Sequence, residues 1–312
     1  MDLRKLMLCL ALGLCSGQAA ARDAAAPDCG IDVPIIDLLH PDTPQAPRLA
    51  ASQRLHAAAQ DQSCPYARYL LGTLLRFGPE LPGNAVEKDP ARAEELLEPY
   101  ARLGHIWAYS DLAELALAQG DSVSAMKWTQ VYLYFATRHG EALEDFDRTG
   151  YNANLLLRAD RAWRKARRPA GMTVNTVLGE YLSVHRDSVS AAMRQKRAEI
   201  ARNGSASGDT SVADAPLVIK RRPPPVSERD FRMEPGYAVF LLEILPSGQV
   251  NRIVAESFAP GPEQMRKLRA LVEGFEFQPF DSPEPRVARV PAQYGFVGWS
   301  SPSLKLPKQA AR

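Results

Sequence analysis

The chain has 312 residues, 46% hydrophobic and 24% charged, which is room for about two packed domains and excludes a low-complexity, disordered chain. Lys and Arg number 38 against 36 Asp and Glu, for a formal net charge of +2. No broad positive field exists to attract nucleic acid.

Chain order begins with a leader. Arg4 and Lys5 precede an apolar run, Leu6–Leu14, and the small residues Ala19, Ala20 and Ala21 follow. These three regions predict a secretory signal peptide over 1–21. The run is shorter than the about 20 residues a membrane-spanning helix needs. A lipoprotein cut before Cys15 is the competing reading, although Leu14 stands where such a cut wants a small residue. Cleavage leaves Cys29 and Cys64 of the four cysteines, and an exported chain is expected to pair them. Their spacing is not Cys-x-x-Cys, so the bond reads as structural, tying an N-terminal arm (22–45) to the first helices.

Residues 46–202 read as helical. Ala67, Leu70, Leu71, Leu74 and Leu75 form one stripe, stopped by Gly78 and Pro79. Asp89 followed by Pro90 opens the next helix, which runs through Ala93, Leu96 and Leu97 to Gly104. A third carries Ala108, Leu112, Leu115 and Ala116 to Gly120, and Asp121 caps a fourth with Ala125, Trp128, Val131 and Phe135 inward. Leu155, Leu156, Ala159 and Trp163 mark a further helix with a basic end, Arg161 to Arg168. That cluster is either a solvated helix end or a contact for acidic lipid or wall polymer. Residues 173–203 supply the last helical material. A linker follows at 203–226, first small and polar, then stiffened by Pro223, Pro224 and Pro225.

The helical pattern resembles the SEL-one-like repeat, a relative of the tetratricopeptide repeat. The matching residues are Ala67, Leu71, Gly72 and Gly78, then Asp89, Ala91 and Ala93, then Ala101, Gly104 and His105. A degenerate copy starts at Ala108, 41 residues after Ala67, with Ala113 in place of the glycine. The resemblance implies an α-solenoid-like stack offering a curved surface to a partner protein. A packed helical core with no partner is the plainer alternative.

From Gly236 the period becomes strand-like. Tyr237–Leu245 is a nearly continuous apolar run and predicts a central strand. Pro246, Ser247 and Gly248 turn it into a second strand through Phe258, and Pro262 opens a helix whose inner face is Met265, Leu268, Leu271, Val272 and Phe275. "FEFQPF" (275–280) is a short strand. The last strand buries Ala288, Val290, Ala292, Tyr294 and Phe296, with Arg289 and Gln293 on the other face. The expectation is an α+β chain: the helical repeats, then a small antiparallel sheet (β-β-α-β, 227–300) covered on one side by one helix, then a tail (301–312).

That order resembles the C-terminal domain of TonB, a periplasmic energy transducer. The pieces that carry it are Pro223–Pro225, Gly236, the "LPSGQV" turn, "ESF" closing the second strand, and "GFEFQPF" for a box that usually reads Trp, basic, Phe, basic, Pro, Ala. Phe275 stands for the tryptophan, Glu276 and Gln278 for the basic residues, and the long Pro/Lys/Glu-rich segment is missing. The resemblance implies a partner that adds as an extended strand beside the sheet. Pro291 cannot donate to a ladder, so the last strand is expected at an edge. Val287, Arg289, Val290, Pro291, Ala292 and Gln293 are then the candidate peptide-binding residues; the alternative is that Pro291 only protects the edge from aggregation.

Nothing predicts an enzyme, a cofactor or a metal. His40, His56, His105, His139 and His185 show no ligand spacing, and "GSASG" (204–208) has Ala206 where a nucleophile would stand. Glu94 with Glu95 and Glu141 with Glu144 read as solvated faces. The expected role is a periplasmic adaptor for a protein or extended peptide of the cell envelope, with no nucleic acid and no small-molecule substrate. The alternative is an energy transducer serving an outer-membrane transporter, anchored in the inner membrane by an uncleaved N-terminus and facing the periplasm.

Overall fold

The computed structural model describes residues 32–138, 150–203, 217–221 and 234–294. The signal peptide, Cys29, Pro223–Pro225, Phe296 and the tail lie outside them. The architecture is mixed α and β, with helices first and a small antiparallel sheet near the C-terminus.

Among the described residues eight helices come first: α1 (Asp32–Leu39), α2 (Gln45–Gln60), α3 (Pro65–Phe77), α4 (Pro90–Arg102), α5 (Trp107–Gln119), α6 (Ser122–Arg138), α7 (Tyr151–Lys165) and α8 (Val174–Asn203). Local chemistry sets their ends. Asp89 Oδ1 accepts from Arg92 N at 3.0 Å to start α4 after Pro90, and Asp121 Oδ1 accepts from Ser124 N at 3.0 Å to start α6. Gly72 lets α3 and α4 close up, since a Cβ there would lie 3.1 Å from Leu96 Cβ. The expected inner residues of α6 and α7 are all buried. The stretch read as an arm holds α1, whose Ile35, Ile36, Leu38 and Leu39 are buried.

The sheet has the order β3-β2-β5, all antiparallel, from β2 (Gly236–Ile244), β3 (Val250–Ala259) and β5 (Arg286–Tyr294). Strand β2 is central, as its apolar run predicts. Between β3 and β5 come α9 (Pro262–Val272) and β4 (Glu276–Phe277). Met265, Leu268 and Val272 of α9 share a core with Ala238, Phe240, Leu242 and Ile244.

Two expectations are corrected. The opposite face of the sheet is not free: Tyr237 and Val239 join the core of α4 to α8, and all nine residues of β2 are buried. The sheet is therefore sandwiched between α9 and the helical array. In the expected linker, Ile219–Arg221 form a strand, β1, that pairs with β4 (Ile219 opposite Phe277, Arg221 opposite Glu276).

The "FEFQPF" stretch is locked to the β2–β3 turn. Phe277 N donates to Gly248 O at 2.9 Å, and Phe280 N donates to Pro246 O at 3.1 Å. Gly248 has φ +85°, and a Cβ on it would come within 2.1 Å of the Phe277 carbonyl oxygen. A side chain is thus opposed there both by backbone conformation and by the neighbouring chain. Phe277 is buried, while Phe275 and Phe280 pack half-buried against the same core.

Candidate functional site

Strand β5 pairs with β2 along its whole length, and in this sheet its other side has no strand beside it among the described residues. The register runs unbroken through Val239 opposite Pro291. Proline has no N–H to give, so this pair is a non-hydrogen-bonded one and the Pro291 nitrogen faces the open side. The same parity turns the N–H and C=O groups of Val287, Arg289 and Gln293 outward. Side chains divide differently. Pro291 is exposed, and Val290 and Ala292 are half-buried against the α9 core.

Arg289 needs a correction, because its side chain does not lie on an open face. Its Nε and Nη2 donate to Glu256 at 2.7 and 2.9 Å, and Glu256 is fully buried. A bulge in β3 opposite Val239 and Phe240 gives Glu256 its aim: β2 pairs Ser257 and Ala255 and skips the residue between. Tyr66 Oη of α3 donates to the same carboxylate at 3.4 Å. Burial opposes the Arg289 charge, Glu256 outweighs it, and the guanidinium pKa rises.

This pair belongs to a polar seam between sheet and helices that sequence reasoning missed. Asp111 of α5 pairs with Arg76 of α3 and accepts from Tyr237 Oη at 2.7 Å and Tyr69 Oη at 3.2 Å. Arg76 Nη2 also donates to the Phe258 carbonyl at 3.2 Å. Burial pushes the Asp111 carboxyl up, and Arg76 with Tyr237 pulls it back. One turn on, Glu114 accepts from Tyr151 Oη at 2.8 Å and Arg158 Nη1 at 2.7 Å. Asn154 Nδ2 donates to Pro235 O at 2.8 Å, and Arg252 joins Glu243 to Asp37. Burial drives the hydroxyls of Tyr69, Tyr151 and Tyr237 well above their usual range, so they act as donors. Each buried carboxylate is matched by an arginine. The arrangement holds surfaces together.

His105 closes the helical side. Its ring stacks on Tyr100 at 3.7 Å, and Lys196 Nζ donates to Nδ1 at 2.6 Å. Burial, with Lys196 second, pushes His105 down to about 2. The unfolded chain protonates this histidine below its ordinary pKa and the folded chain does not, so stability falls as pH falls. Between about pH 7.5 and pH 5 the native protein should lose about 1–2 kcal/mol more than His105→Gln, read from urea unfolding at both pH values. Equal losses would remove the argument.

Cys64 is disulfide-bonded; its expected partner, Cys29, lies outside the described residues. Among the described residues no three His, Cys, Asp or Glu side chains gather as a metal site requires, and no helix is long and apolar enough to cross a membrane. No family model, curated protein or solved structure matches the chain.

Proposed function

We propose that the chain is an exported, non-enzymatic adaptor of the cell envelope that captures an extended peptide as a fourth strand beside β5. The carrying observation is the one-sided pairing of β5, which leaves a row of outward N–H and C=O groups at Val287, Arg289 and Gln293. Capture is by backbone, with a gap at Pro291, and the half-buried Val290 and Ala292 offer apolar contact on the α9 side. The TonB-like pattern of turn and box supports the same reading, because both pieces meet in one lock behind the sheet. The repeat-like helices act as a rigid platform. Much of their inner surface is taken by the chain's own sheet, so any partner they bind would sit on the outward side. A buried seam favours this fixed adaptor over a transducer, which needs its sheet carried on a long tether.

A photo-crosslinking residue at Pro291 tests the proposal; position 289 is unsuitable because it would break the Glu256 pair. In living cells, position 291 should give a discrete adduct with an envelope protein, and exposed Glu95 should not. No adduct, or the same adducts from both positions, sinks strand addition.

A further inference from the structure

We propose that the basic C-terminal end of α7 is an electrostatic docking surface for anionic lipid headgroups. Five cations fall in eight residues: Arg161, Arg164, Lys165, Arg167 and Arg168. The first three stand at i, i+3 and i+4, hence on one helical face. Trp163 fixes where that face points, because it is buried with Met126, Ala159 and Val177. Arg161, Arg164, Lys165 and Arg167 are exposed. Arg168 lies over the Trp163 ring at 4.2 Å, and its Nη1 has no hydrogen-bond partner.

Helix-end chemistry does not account for this set. The helix dipole favours cations only within the last turn. Arg167 and Arg168 lie beyond the capping residue Ala166. Within α7 the sole acid is Asp160, which pairs with Arg164 at 2.8 Å. Asp121, which caps the neighbouring α6, is engaged by backbone N–H groups of Val123 and Ser124. The cluster keeps a local positive excess on a chain whose formal net charge is only +2.

The surface fits a membrane better than a nucleic acid. The aromatic of the stretch, Trp163, is buried, so no stacking platform accompanies the charge. Anionic lipid needs only exposed point charges, each strengthening attachment by about a factor of five at low salt. The other end of α7 is held to the sheet through Asn154 and Pro235. Eleven residues of helix put the basic end about 16 Å further along the axis, so lipid contact there leaves the sheet clear.

The test is independent of strand addition. The full chain is sedimented with vesicles of equal parts phosphatidylglycerol and phosphatidylcholine, and with pure phosphatidylcholine. Binding should require phosphatidylglycerol and vanish at high salt. Arg161→Glu/Arg164→Glu/Lys165→Glu/Arg167→Glu should weaken it by at least about a hundredfold. The milder Arg161→Gln/Arg167→Gln should weaken it about twentyfold or more, with an unchanged circular dichroism spectrum. Equal binding to both vesicle types, unchanged binding by the variants, or no binding to anionic vesicles at low salt overturns the proposal. So does a preference for single-stranded DNA over vesicles in competition.

Discussion

Asp111→Ala is expected to remove about 3–5 kcal/mol of stability, the cost of breaking a buried ion pair from one side. Asp111 is 1% exposed and Arg76 is 7% exposed, so neither can exchange its partner for water. The substitution leaves the Arg76 charge with the Phe258 carbonyl and the Phe77 ring and no anion, and deprives Tyr69 and Tyr237 of their acceptor. Those groups come from α3, β2 and β3, so the loss falls on the docking of sheet to helices. Arg76→Met/Asp111→Leu should cost clearly less than Asp111→Ala alone, because it leaves no unpaired charge behind. Urea unfolding of the two variants decides the matter. A single variant within about 1 kcal/mol of the native protein, or a double variant as damaged as the single, would show that the pair is not what joins them.

Most elements were legible, and the seam was not. Periodicity found the inner faces of α6 and α7, and Pro246–Gly248 and Pro262 found the hairpin and the start of α9. Those signals are local. The seam is made of charged residues whose partners lie far along the chain: Tyr66 meets Glu256, and Arg76 meets the carbonyl of Phe258. In an amphipathic pattern such residues read as facing water. Two signals were nonetheless present. Asp111 and Glu114 sit among Ala108, Leu112, Leu115 and Ala116, and α5 is buried on nearly every side because Arg76 of α3, Tyr237 of β2 and Tyr151 and Arg158 of α7 cover its polar stripe. The unbroken apolar run of β2 already implied a strand covered on both faces, against the one-sided sheet that was expected. Strand β1 left no trace of period, since three residues ending in Lys220 and Arg221 are too few to show one. The edge position of β5 came from a single residue, Pro291, whose missing donor excludes the centre of a sheet. The aim of Arg289 depends on a bulge that "ESF" does not announce.

Arg289→Met should cost more than Glu256→Ala, although the two remove opposite halves of one pair. Glu256 is 0% exposed and Arg289 30%, so the survivors face different fates. Without Glu256, the arginine can turn its guanidinium towards the open edge and recover water, limiting the loss to about 2–3 kcal/mol. Without Arg289, the carboxylate stays buried with only the long contact from Tyr66, and the loss approaches the about 3–5 kcal/mol of a stranded buried charge. Urea unfolding of both variants and of Glu256→Ala/Arg289→Met reads this. Equal single-variant costs would mean that Arg289 is solvated and the bulge merely tolerated. The expected asymmetry would instead tie the edge strand to the helices through one buried carboxylate, and would give the peptide-capturing edge a fixed position on the platform.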